Sequence, residues 1–290
     1  MEWYLVALLS AFFSACAAIL EKKILFKEKA LSMSFILALF NLVLAVPFFF
    51  FIDYSLLSFV SLGVLFFKSV LGAFAFLLIM KGIKSLEISK ALPLLVLTPG
   101  FVAFFAWIFL GESLKLIEIG GMGLLLVGTY VLQIERGRGF LAPVKAFVKT
   151  KEHYYIFGAL ILFATTSVLD KALLSNYKVP LDAFFGFQHL FFALVFLVLA
   201  IVYSNKSELK NSFKFSWKMI GVLAVITIVY RYAHLYAVKA APVALVLSIK
   251  RISVFFAVLI GGRLFQDRSL WRRVVATGLM VLGAVLIIMS

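Results

Sequence analysis

The sequence predicts an all-α membrane protein of ten transmembrane helices, built as two five-helix inverted repeats. Three observations carry that expectation. Of the 290 residues, 64% are hydrophobic and only 14% charged, far from the roughly half-apolar, quarter-charged makeup of soluble domains. Apolar blocks about 20 residues long recur along the whole chain, the length a helix needs to cross a hydrocarbon core of about 30 Å. The second half also echoes the first in a fixed register.

The predicted spans are 3–20, 31–52, 58–80, 90–110, 114–134, 153–172, 182–203, 217–239, 242–262 and 270–289. The opening MEWYLVALLS starts with Glu2 and lacks the cationic start and small-residue cleavage site of a signal peptide, so it reads as a span of the mature protein. Short polar punctuation follows, such as EKKILFKEKA after the first span and NKSELKNSFKFSWK after the seventh. Pro93 and Pro99 interrupt the fourth span. Their freed carbonyls either face a cavity or are satisfied by neighbouring helices. The glycines of GGMGLLLVGTY (Gly120–Tyr130) and ATGLMVLGA (Ala276–Ala284) let helices approach closely, within or between subunits, which keeps a homodimer open. The longest polar connection, Glu135 to His153, divides the chain. It gives a first repeat over 1–134, a connecting loop over 135–152 and a second repeat over 153–290.

Adding 155 to a residue number carries Lys84 to Lys239, Thr98 to Ser253, Glu112 to Asp267, Gly123 to Gly278 and Gly128 to Gly283 without a gap. Earlier in each half, Ile19–Leu25 sits over Val168–Leu174, and Phe40-Asn41-Leu42 over Gln188-His189-Leu190. An odd number of spans per repeat forces the sixth helix to start on the side opposite to the first. Inverted repeats of this kind belong to secondary transporters, with the substrate site between the halves near mid-bilayer and alternating access by rocking of one half against the other.

Charges inside spans are costly and normally face a bundle interior or water, so depth sorts them. Lysines at span ends, such as Lys81, Lys218 and Lys239, can snorkel to the interface. The deep candidates are Lys68, His189, Arg231, His234, Lys250 and Arg251. Arg231 and His234 are three apart and share a helix face. Lys250 and Arg251 are successive, hence about 100° apart, so only one is certain to point inward. Gln188 and Ser248 could add neutral hydrogen bonds, and Tyr230, Tyr232 and Tyr236 aromatic walls. Glu21 and Asp170 fall at corresponding late positions of the first and sixth spans, each followed by a lysine, and a role in proton coupling is conceivable for both. Cations outnumber the carboxylates able to reach them, so the missing negative charge points to a ligand bearing phosphate or carboxylate. The structural alternative pairs Asp170 with Lys250 or Arg251 and leaves Arg231 and His234 bonding helix carbonyls.

Other classes find little support. The net charge of +15 is carried mostly by interfacial lysine and arginine, which read as orientation and lipid-headgroup signals rather than a nucleic-acid surface. The single Cys16 offers neither a disulfide nor a metal site, and no cofactor or metal is expected. HExxH, Walker A and GxSxG patterns are absent, which argues against a membrane enzyme acting on lipids or phosphate esters.

LGESL (Leu110–Leu114) and LFQDRSL (Leu264–Leu270), each leading into a glycine-rich final helix, resemble the drug/metabolite transporter superfamily of EamA type. The likeness covers nearly the whole chain. HLY (His234–Tyr236) followed by IKRISV (Ile249–Val254) is similar to the triose-phosphate and nucleotide-sugar translocators, and that resemblance implies that Lys250 and Arg251 hold substrate phosphate. The connection between these phrases looks shorter here. The resemblance also implies export of amino acids or other metabolites as the rival activity, and a prokaryotic cell membrane as the location. It places both termini in the cytoplasm. Interfacial Lys and Arg gather after spans one, three, five, seven and nine, which by the positive-inside bias places them outside. The expected activity is thus a secondary transporter or antiporter of a small anionic metabolite, embedded in lipid and free of nucleic-acid partners.

Overall fold

The computed structural model describes residues 2–85, 97–133, 151–253, 256 and 270–289. Its helices are α1 (Trp3–Leu25), α2 (Ala30–Ala45, drawn out as a 3-10 turn over Val46–Phe51), α3 (Phe59–Ser85), α4 (Thr98–Leu110) and α5 (Leu116–Gln133). The second half follows with α6 (Lys151–Lys171, closed by a π turn over Ala172–Asn176), α7 (Leu181–Tyr203), α8 (Lys206–Ala240), α9 (Val243–Lys250) and α10 (Leu270–Ile288). Strands do not occur among the described residues. Among the described residues six helical segments are long and apolar enough to cross a membrane, from α1 to α3 and from α6 to α8. The outer face of the bundle carries exposed aromatic and aliphatic side chains such as Phe59, Leu116 and Ile201, as a surface solvated by lipid requires. Pro93, Asp267, the LFQDRSL phrase up to its last residue and most of the 135–152 connection lie outside the described residues.

One predicted element needs correction. NKSELKNSFKFSWK, expected as a connection, is helical from Lys206 onward, and α8 runs for 35 residues. At 1.5 Å per residue that is about 52 Å, well beyond a hydrocarbon core of about 30 Å. The polar extension is held by packing: Phe213 stacks on Phe40 of α2 at 6.2 Å between ring centroids, and buried Ser216 donates to Glu28 Oε1 at 2.5 Å. Hydropathy marks where a helix enters lipid, whereas these tertiary contacts decide where it begins.

The helix pairings repeat when the halves are exchanged. α1 packs on α8 as α3 packs on α6, α8 on α2 as α3 on α7, and α4 on α6 as α9 on α1. The pairs α5–α10, α2–α7 and α4–α9 join equivalent helices directly. At α5–α10 the register reaches individual atoms. A Cβ on Gly283 would lie 2.5 Å from the Gly121 carbonyl, and one on Gly128 2.8 Å from that of Ala276. A shift of 155 converts one contact into the other, because 128 becomes 283 and 121 becomes 276. Gly120, Gly123 and Gly278 meet nothing within 4 Å, so close approach explains only part of the glycine pattern.

The LGES phrase terminates one helix and caps another. Gly111 takes φ +66°, a left-handed conformation that costs a residue with a Cβ about 1–2 kcal/mol, and the Glu112 N–H donates back to Ala106 O at 3.2 Å. Glu112 Oε2 then accepts from the Val243 N–H at 3.3 Å, at the start of α9, and Oε1 lies 3.8 Å from Lys171 Nζ. Lys171 also donates to the last carbonyls of α8, Val238 at 3.0 Å and Ala241 at 2.9 Å. Burial pushes the Glu112 carboxyl above its ordinary value, with Lys171 and the Val243 N–H pulling the other way. By the parity of the crossings, this clasp lies at the N-terminal end of the bundle. A second clasp, Glu28 with Ser216 and with Lys84 Nζ on its carbonyl at 2.8 Å, lies at the opposite end.

Candidate functional site

Between the two clasps the halves enclose a cavity of about 200 Å3. Its polar wall comes from both repeats. Lys68, midway along α3, is buried, and its ammonium lies 2.6 Å from Asp170 Oδ1 of α6, 2.6 Å from Gln188 Oε1 of α7, and 4.9 Å above the Phe184 ring. A cation so surrounded is neutralised in place, which is how a buried charge becomes tolerable. Asp170 therefore pairs with Lys68, not with Lys250 or Arg251 as the structural alternative expected.

α8 supplies Arg231 and His234 on one face, as their spacing of three requires. The Arg231 guanidinium stands 5.7 Å over Phe192 of α7. From α9 both Lys250 and Arg251 line the cavity. Two successive helical residues diverge by about 100°, and Arg251 keeps helical dihedrals, φ −64° and ψ −16°, with its N–H shared between Leu247 O at 3.2 Å and Ser248 O at 3.1 Å. An arc of that width lets one cavity take both side chains. Lys250 lies 5.1 Å over Tyr230, and the cation–ring contact shields it from lipid.

Four cationic side chains, Lys68, Arg231, Lys250 and Arg251, thus meet one carboxylate, Asp170. Among the described residues Arg231, Lys250 and Arg251 make no ion pair, and buried Arg251 Nε and His234 Nδ1 have no hydrogen-bond partner. Buried polar atoms are nearly always satisfied, so unsatisfied ones on two residues that line a cavity point to a ligand or water there.

The remaining sequence candidates divide. Gln188 lines the cavity through its bond to Lys68. Tyr230, His189 and Glu21 line a separate, smaller pocket. Tyr236 is 40% exposed and lines neither space, and Tyr232 turns away to donate to Asp182 Oδ1 at 3.1 Å. Sequence reasoning passed over Thr166 and Ser167 on α6, Thr98 on α4, and the apolar wall of Phe163 and Phe192. Thr166 and Ser167 were findable, since they precede Asp170 by four and three residues in an apolar span and so share its face. The phenylalanines were not, because 33 of them are spread along the chain. Among the described residues no group of His, Cys, Asp or Glu could hold a metal.

A lipid-facing bundle of two equivalent halves closing on a charged central cavity defines a membrane transporter. The chain belongs to the EamA-like transporter family, whose model matches residues 1–134 and 150–289. It is accordingly an integral membrane transporter of the drug/metabolite superfamily, not an enzyme. A solved crystal structure shares the fold with a TM-score of 0.73 at 16% identity, over 98% of this chain and 94% of the other. Comparison with curated protein sequences gives no significant match.

Proposed function

We propose that the protein is a secondary transporter that exchanges a small anionic metabolite, bearing phosphate or carboxylate, across the membrane by alternating access. The observation that supports this is the surplus of cations around the central cavity, with Arg251 Nε and His234 Nδ1 left without partners. Arg231 and Arg251 can grip an oxyanion as forks, and Lys250 as a point charge. Lys68, already held by Asp170 and Gln188, braces α3 against α6 and α7. An empty cavity of this charge resists closing into a low-dielectric intermediate, whereas an occupied one is neutralised, which makes exchange faster than net transport. Phe163, Phe192, Leu235 and Leu247 also line the cavity and favour the organic part of the substrate, and they keep the export of amphipathic compounds or amino acids as the second reading.

Counterflow in proteoliposomes discriminates the two. Vesicles preloaded with inorganic phosphate or phosphate monoesters should show counterflow that Lys250→Ala with Arg251→Ala abolishes. Unchanged transport in the double variant, or counterflow with amino acids alone, refutes the anion reading.

A further inference from the structure

The smaller pocket, about 30 Å3, is separate from the central cavity yet shares Arg231 and Phe192 with it. Glu21 of α1 lies here, 8% exposed and deep in the bundle. Three side chains that line the pocket carry polar atoms without a partner among the described residues: Ser34 Oγ and Asn41 Oδ1 from α2, and His189 Nε2 from α7, all at least nine-tenths buried. Thr227 and Tyr230 of α8 complete the polar lining. A space of that size with so many open polar atoms accommodates water.

Glu21 is the counterpart of Asp170 in the repeat, but the two differ in pairing. Asp170 is held by Lys68 at 2.6 Å. Glu21 makes no ion pair among the described residues, and Arg231 lines the same pocket. Of the elements packed against α1, α8 faces this carboxyl with Arg231 and Tyr230, α2 with neutral Ser34 and Asn41, and α3 with Phe76. α9 sends nothing into the pocket, and His189 enters from α7. Among the described residues Arg231 is therefore the one full charge shared by the Glu21 pocket and the anion cavity.

We infer that Glu21 is a proton-binding site coupled through Arg231 to occupation of the central cavity, so that anion and proton travel together. When an anion draws the guanidinium to itself, Glu21 loses its countercharge and takes one proton from water in the pocket, becoming a neutral carboxylic acid. On release of the anion Arg231 swings back and the proton leaves to water. A resident metal cation is disfavoured by the guanidinium beside the single carboxylate. The direction of coupling rests on the anion reading above, but the proton site itself does not.

Two measurements keep these apart. Infrared spectra of the protein in bilayers should show a protonated-carboxyl band that Glu21→Gln removes, and in Arg231→Gln the band should persist to higher pH by roughly one to three units, the effect of removing a neighbouring opposite charge. In proteoliposomes Glu21→Gln should retain phosphate counterflow while losing uptake driven by a pH gradient. A band that survives Glu21→Gln, one indifferent to Arg231→Gln, or one erased by sodium rather than by alkali overturns the proton site, however strong the counterflow. Gradient-driven uptake unaltered in Glu21→Gln overturns the coupling. An Arg231-sensitive Glu21 band without any phosphate counterflow supports the proton site and refutes the substrate reading instead.

Discussion

Lys68 shows what depth alone can and cannot say about a charge. Its position in the middle of a span marked it as a buried cation, yet its partners Asp170 and Gln188 stand 102 and 120 positions away in number and come together only through the fold. Removing one member of such a pair strands the other. Lys68→Met should destabilise the protein by roughly 3–5 kcal/mol, whereas Lys68→Met with Asp170→Leu should recover most of that loss. Thermal unfolding in detergent reads the cycle, and additive effects would show that the pair is no unit. Arg251 is the opposite case: its divergence of about 100° from Lys250 left its direction open in the sequence, and only the helices packed around α9 make one cavity that takes both.

Among elements, α5 and α10 join the halves through two symmetry-related glycine contacts. Gly283→Ala places a methyl 2.5 Å from the Gly121 carbonyl, so the helices must separate, at a cost of about 1–3 kcal/mol. Gly123→Ala, with nothing within 4 Å, should stay within about 0.5 kcal/mol of the parent. Unfolding midpoints of the two variants check this, and equal effects would contradict the register. The glycines were legible as a pattern, and the pairing that separates Gly121 from Gly120 was not. The extension of α8 escaped for a related reason. Serine, lysine and asparagine read as a connection, and only contacts with Phe40 and Glu28 make the segment a helix worth forming.

For the whole molecule, the repeat was readable because an insertion-free shift of 155 carries Lys84, Glu112, Gly123 and Gly128 onto residues of the same kind. The exchange of helix pairings between halves follows from it. The site was less readable because it is asymmetric: the same shift carries Arg231, Lys250 and Arg251 onto Phe76, Leu95 and Val96, so one half supplies most of the charge. Rocking of the halves requires the two terminal clasps to open in turn. With cysteines at positions 28 and 216, in a background lacking Cys16, a short bifunctional thiol reagent should reduce transport at least tenfold. Cleaving the linker should restore it, and full activity in the cross-linked protein would contradict rocking at that end.

The central claim, that the cavity's surplus positive charge is completed by an anion, is tested most directly by equilibrium binding to the purified protein. Calorimetric titration with inorganic phosphate and small phosphate esters should give one saturable site per chain, weakened at least a hundredfold in Lys250→Ala with Arg251→Ala. Absence of binding for every phosphate and carboxylate tried, or binding of equal strength in the double variant, would contradict it.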